Sequence, residues 1–215
     1  MNVFAIVFTE ESGRAKKEFS AGFSPEERNL MSAAMTEDVL TALKASVIRE
    51  VVVVGTEANA GQVAGKCGVS FISQGEGGLA PAVLKAIDWC LERKAEAMLV
   101  LSANIPLASS SDLDRIVELG SEAPSVVLSP SMKGGANAVF LNPPNLIKTQ
   151  FGPNCFFKLV EEAINKDVAL RFYSSRETAL DINSEDDLCK LLEIENNTVS
   201  KRVFEQIRLK RGIKS

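Results

Sequence analysis

The sequence contains no histidine. That absence excludes Ser-His-Asp and Cys-His nucleophilic sites, imidazole metal centres and histidine acid–base catalysis. Chemistry on this chain must run on carboxylates, lysines, arginines and backbone amides, with or without a bound metal. Paired cysteines are also missing: Cys67, Cys90, Cys155 and Cys189 are far apart and form no Cys-x-x-Cys motif. Zinc spacing and a compact disulfide framework are thereby excluded, and a reducing cytoplasm is the simplest setting. No hydrophobic run is long enough for a membrane span. The opening stretch Val3 to Phe8 is too short and lacks the basic leader of a signal peptide, so no membrane partner is expected. A large charge of one sign is lacking as well. The net charge of −4 offers no broad basic surface to nucleic acid. The local basic tail (Lys201, Arg202, Arg208, Lys210, Arg211, Lys214) reads as a solvated terminal helix in preference to a polyanion site.

What is present is a chain of 215 residues, 46% hydrophobic, which suits one domain with a substantial core. Val3 to Phe8 has the length of a buried strand. Ser24-Pro25-Glu26-Glu27 starts a helix, with Ser24 as cap, Pro25 at the first helical position and Glu27 closing a capping box. Apolar residues at helical spacing carry that helix to about Lys44. Val51 to Gly55, a β-branched run, predicts a strand buried on both faces. A short helix is expected from Ala58 to Gly65, a strand from Val69 to Ile72, a helix from Leu79 to Lys94 and a buried strand from Ala97 to Leu101. Ser109 to Asp112 opens another helix. Strands are expected at Ser125 to Leu128 and Ala138 to Leu141, a helix at Asn154 to Ile164, an edge strand at Val168 to Tyr173 and a Ser184-capped helix through Leu192. This alternation predicts a single-domain, three-layer α/β/α fold with a mostly parallel sheet over residues 1–195. Residues 196–215 form an amphipathic, basic tail. Its apolar positions (Val203, Phe204, Ile207, Leu209) pack on the same domain or on a second subunit, with a homodimer slightly favoured.

Ligands of such sheets bind outside the carboxyl ends of the strands, which selects particular loops. After the first strand come Gly13, Arg14, Lys16 and Lys17, a set able to cradle a triphosphate or simply to be solvated; the Walker spacing is missing. Gly75-x-Gly77-x-x-Ala80 follows the third strand and reads as a turn or as a base-contacting loop. Asn104 sits just past a buried strand, where it can cap a turn or enter a site. Asp181 precedes the Ser184 cap and is flanked by Leu180 and Ile182, which makes it the better candidate for a magnesium ligand.

These segments, in this order, resemble the 2-phospho-L-lactate guanylyltransferases of deazaflavin redox coenzyme biosynthesis. That family has a compact nucleotidyltransferase fold of nucleotide-diphospho-sugar transferase type. Arg14-Ala15-Lys16-Lys17-Glu18 with Pro25-Glu26-Glu27-Arg28 resembles its Ala-Lys-x-Arg-Leu and Glu-Arg signature. Ala103-Asn104-Ile105-Pro106-Leu107 resembles Ala-Asp-Leu-Pro-Leu, and Gly134-Gly135-Ala136-Asn137-Ala138 resembles Gly-Gly-Thr-Asn-Ala. Phe151-Gly152-Pro153-Asn154-Cys155-Phe156 is similar to Phe-Gly-x-x-Ser-Phe. Asp181-Ile182-Asn183-Ser184-Glu185-Asp186-Asp187-Leu188 is similar to Asp-Ile-Asp-Thr-Pro-Glu-Asp-Leu.

The resemblance implies transfer of GMP from GTP to 2-phospho-L-lactate or a related phosphorylated three-carbon acid, with release of pyrophosphate. It further implies that Lys16, Asn104 and Asp181 form the catalytic set, that Asn104 and Asp181 hold magnesium, and that Gly13, Arg14, Lys16, Gly77, Gly78 and Leu79 bind the nucleotide. Gly135, Ala136, Asn137, Gly152 and Cys155 would line the acceptor pocket. Five positions depart from the family's pattern: Glu18, Asn104, Ala136, Cys155 and Leu159. A neutral Asn104 holds magnesium more weakly than a carboxylate, and Glu18 repels phosphate. Two other readings stand beside the enzyme, a nucleotide- or partner-binding paralogue and a sugar transferase, the latter lacking an Asp-x-Asp motif. A histidine-free chain suits guanylyl transfer, because the acceptor phosphate is already ionised. What remains is alignment and charge stabilisation at the α-phosphate.

Overall fold

The computed structural model describes residues 1–9, 22–76, 79–148 and 155–212. Its centre is a seven-stranded sheet made from β1 (Val3–Phe8), β2 (Glu50–Gly55), β3 (Ser70–Ser73), β4 (Ala97–Ser102), β5 (Ser125–Pro130), β6 (Ala136–Asn142) and β7 (Ala169–Phe172), in the order β3-β2-β1-β4-β6-β5-β7. All pairings are parallel except those of β6, which runs antiparallel to both β4 and β5. The reversal has a consequence for the site. It brings the first residue of β6, Ala136, to the edge where the other central strands end, paired with Pro130.

The helices are α1 (Pro25–Lys44), α2 (Gln62–Cys67), α3 (Leu79–Glu92), α4 (Ser110–Leu119), α5 (Cys155–Asn165), α6 (Arg176–Ala179), α7 (Glu185–Glu193) and α8 (Val199–Lys210). Strand residues alternate between two cores, as the two-residue period of a strand dictates. Val3, Ala5 and Val7 point into one with Val39, Leu40 and Leu43 of α1 and Leu113 and Ile116 of α4. Phe4, Ile6 and Phe8 point into the other with Val83 and Ala86 of α3 and Leu159 of α5. The sheet is thus covered on both faces, which is why the β1, β2 and β4 sequences are nearly continuously apolar.

The Ser24 capping box at α1 forms as expected, with the Glu27 amide donating to Ser24 Oγ at 3.2 Å and the Ser24 amide donating to Glu27 Oε2 at 2.8 Å. The helix expected from Ala58 begins instead as a π-helical turn (Glu57–Gly61) that passes into α2. The close approach there requires glycine. A Cβ on Gly55 would lie 2.1 Å from Thr9 Oγ1 and 2.6 Å from the Ala60 Cβ. The short helix α6 was not legible in the sequence.

The C-terminal helix α8 packs against α1. Phe204 and Ile207 join Met31 and Met35 of α1 and Leu188 and Leu191 of α7 in a third apolar cluster. Buried Asp38 of α1 accepts from the Val199 amide at 2.7 Å and the Ser200 amide at 2.9 Å, so α1 itself supplies the N-terminal partner for α8. Arg211 pairs with Glu27 and lies 4.6 Å over the Phe23 ring. That part of the basic tail is committed to the molecule's own fold. Among the described residues, no helix is long and apolar enough to cross a membrane.

Candidate active site

Several chain segments meet where the central strands end. Ser102 closes β4 and leads into the 103–107 turn; Ser131 follows β5; the 180–183 segment leads into α7. Backbone bonds join them. The Ile182 amide donates to the Asn104 carbonyl at 2.8 Å, and the Met132 amide donates to the Ala179 carbonyl at 3.2 Å.

On this frame the polar side chains form one continuous line. Ser102 Oγ donates to Asn104 Oδ1 at 2.5 Å, and Asn104 Nδ2 donates to Asn183 Oδ1 at 2.7 Å. Asn183 Nδ2 donates to Asp181 Oδ2 at 2.5 Å, while Ser131 Oγ donates to Asp181 Oδ1 at 2.6 Å. The local sequence explains the direction of Asp181. Leu180 and Ile182 both enter the third apolar cluster, and in extended backbone the residue between them must face the other way. Asp181 is only 6% exposed, so its carboxylate needs these donors.

A second carboxylate sits at the edge of this line. Asp187, in the first turn of α7, accepts from Lys133 Nζ at 2.6 Å, Ser184 Oγ at 2.9 Å and the Asn183 amide at 3.0 Å. Burial pushes its carboxyl up, but Lys133, the Asn183 amide and Ser184 together outweigh that and hold it below the ordinary carboxylate range. Among the described residues, no three His, Cys, Asp or Glu side chains cluster into a protein-only metal cage. Asp181 and the Asn104 carboxamide offer oxygen donors on one hydrogen-bonded line. One carboxylate with a neutral oxygen fits magnesium, which keeps several waters and shares substrate phosphates.

The candidates named from sequence fall into three groups. Asn104 and Asp181 are brought together through Asn183. Ala136 and Cys155, the first residues of β6 and α5, are both buried in the core cluster on one face of the sheet. Gly135 precedes Ala136, and its carbonyl accepts from the Ser131 amide at 2.8 Å. Asn137 is buried with its amide donating to the Thr178 carbonyl at 2.9 Å, a brace between β6 and α6. Gly13, Arg14, Lys16, Gly77, Gly78 and Gly152, with the side chain of Leu79, lie outside the described residues. Gly22 approaches the first turn of α7 so closely that a Cβ would lie 2.6 Å from Glu185 Oε2.

Sequence reasoning missed Ser102, Ser131, Lys133 and Asn183 as participants. Asn183 was legible in principle, since positions 181 and 183 share a face in extended backbone. Ser131 and Lys133 had no such signal, because their partners Asp181 and Asp187 are about fifty residues away.

A family model described as "Guanylyl transferase CofC like" matches residues 3–214. The chain belongs to this family. A phosphoenolpyruvate guanylyltransferase from Rubrobacter xylanophilus is 31% identical over 89% of this chain and 94% of its own length. A 2-phospho-L-lactate guanylyltransferase from Methanothermobacter thermautotrophicus is 28% identical over 97% and 92%. Among solved structures, a cytidylyltransferase from Leptospira borgpetersenii superposes with a TM-score of 0.62 at 19% identity, over 99% of this chain and 96% of its own. A protein described as a nucleotide-diphospho-sugar transferase from Desulfovibrio desulfuricans G20 gives 0.74 at 14% identity, over 99% of both chains. These structures share the fold. Membership in the CofC-like family makes the protein a nucleotidyltransferase of the guanylyl transferase kind.

Proposed function

We propose that this protein transfers the guanylyl group of GTP to the phosphate of a small three-carbon acid, phosphoenolpyruvate or 2-phospho-L-lactate, in deazaflavin coenzyme biosynthesis in the cytoplasm. An acceptor phosphate oxygen attacks the α-phosphorus of GTP, a P–O–P bond forms, and pyrophosphate leaves. The observation that carries the reading is the Ser102–Asn104–Asn183–Asp181–Ser131 line at the strand ends of a chain in the CofC-like family.

Asp181, with support from Asn104, would hold magnesium, which when bound would supply positive charge to the nucleotide phosphates. Ser131 and Asn183 fix the Asp181 carboxylate in place before substrate arrives, so little reorganisation is left for the reaction itself. Asn183 also ties Asp181 to Asn104, so the two oxygen donors move as a unit. No general base is needed at neutral pH, which suits a chain without histidine. In this reading the nucleotide and the acid take separate halves, as the family resemblance implies: the acceptor half is the β5–β6 turn with the start of α5, and Asn104 with Asp181 serves both substrates.

Incubation with GTP labelled at the α-phosphorus, magnesium and either acid tests the reading. The expected result is label in a new acid-linked diphosphate that resists phosphatase. Label confined to GTP and its hydrolysis products, from folded protein, contradicts it.

A further inference from the structure

Lys133 is held in a lopsided ion pair. Its ammonium lies 2.6 Å from Asp187 Oδ2, but its side chain is 42% exposed while that of Asp187 is 3% exposed. Asp187 has further donors besides it. The Asn183 amide and Ser184 Oγ also donate to that carboxylate, Lys190 Nζ stands 3.5 Å from its other oxygen, and the first turn of α7 favours a negative charge. Asp187 therefore keeps its partners if Lys133 departs. An exposed lysine parked on a carboxylate that is already satisfied is poised to exchange for a stronger anion.

The turn keeps the root of this lysine beside Asp181. Ser131 Oγ donates to Asp181 Oδ1 at 2.6 Å and accepts from the Lys133 amide at 3.0 Å. Gly134 takes φ +84°, a conformation strained for residues with side chains, and the turn closes with the Ser131 amide on the Gly135 carbonyl. The turn joins β5 to β6, in the β6-β5-β7 half of the sheet.

We infer that Lys133 binds the phosphate of the acceptor acid, its ammonium leaving Asp187 for the phosphate oxygens. This rests on the guanylyl-transfer reading. A compact ammonium on a flexible four-carbon stem, with three donors, is suited to such an exchange, and a dianionic phosphate outcompetes a carboxylate that keeps other donors. Asp187 then acts as the resting dock that keeps Lys133 over the acceptor half.

Steady-state kinetics of Lys133→Gln and Lys133→Arg with phosphoenolpyruvate and 2-phospho-L-lactate test this. In Lys133→Gln the KM for the acid should rise roughly tenfold or more, with the KM for GTP unchanged; Lys133→Arg should recover most of the loss. An unchanged KM for the acid, or an equal rise for GTP, overturns the assignment. A second measurement needs neither variant nor turnover: reductive methylation of the wild-type protein, followed at the Lys133 peptide by mass spectrometry. Slower labelling with either acid, but not with GTP, is expected. Equal labelling under all conditions overturns the role of Lys133 even in a protein that catalyses transfer. Protection by the acid in a protein that fails to catalyse transfer leaves Lys133 as an acid-binding residue and refutes only the reaction.

Discussion

Asp181 and Asp187 lie six positions apart at the same end of the sheet and are both nearly buried, at 6% and 2% exposure. Their surroundings differ in kind. Asp187 takes a backbone amide, a capping hydroxyl and lysine ammonium groups, the furnishings of a helix N-terminus. Among the described residues Asp181 takes side-chain donors, a serine and an asparagine, and that asparagine leads directly to Asn104. A backbone amide, a capping hydroxyl and the helix dipole already offset one charge, so Asp187 holds the start of α7 whether or not Lys133 stays on it. The other charge is met by neutral donors among the described residues, which suits the magnesium role proposed for it. In the proposed mechanism two carboxylates in one short motif thus divide between holding the fold and doing chemistry.

The largest expected effect comes from Asp181→Ala. Pyrophosphate release should fall by a factor on the order of 10² to 10³ or more, the scale of losing one preorganised electrostatic group, while the thermal melt stays cooperative. A variant that keeps turnover would remove Asp181 from the chemistry and end the division between the two residues.

Asp187→Ala should do the reverse. Losing a buried carboxylate with several donors costs about 2 kcal/mol or more in urea unfolding, with the larger loss in stability and the smaller in kcat. The pH dependence has a definite sign. Because the folded Asp187 carboxyl sits below its ordinary value of 3.8, its stabilisation is complete above that value and is lost as pH falls through the lower one. The stability gap between wild type and Asp187→Asn should therefore be widest near neutral pH and close in acid. Asp38 runs the other way. Burial is the largest influence on it and raises its carboxyl, so its contribution is greatest in acid and declines as pH rises through the folded value.

Asn183→Ala gives the smallest of these effects. It cuts the link between Asn104 and Asp181 without removing either, and should lower kcat/KM by roughly tenfold, mainly by raising the magnesium needed for half-maximal rate. An unchanged magnesium requirement would show that the line of side chains does not work as a unit.

Much of the framework was legible in the sequence because its signals are local. The Ser24 capping box, the β-branched run of β2 and the buried strands β1 and β4 depend on neighbours a few residues away. Asp181 was legible for the same reason, through the apolar residues on either side of it. The antiparallel placement of β6 was not, since a strand's direction depends on long-range pairing that composition does not encode. Nor was the short α6, whose four residues give no helical period to read. Ser131 and Lys133 escaped because a turn joins Asp181 and Asp187 only after the chain has folded.

The most direct test of the account follows pyrophosphate release in real time from the wild-type protein, with GTP, magnesium and the phosphorylated acid each omitted in turn. Release that requires all three, and that Asp187→Ala retains but Asp181→Ala loses, is the predicted result. Release without the acid, or none from folded protein with either phosphoenolpyruvate or 2-phospho-L-lactate, would contradict guanylyl transfer at the Asp181 site.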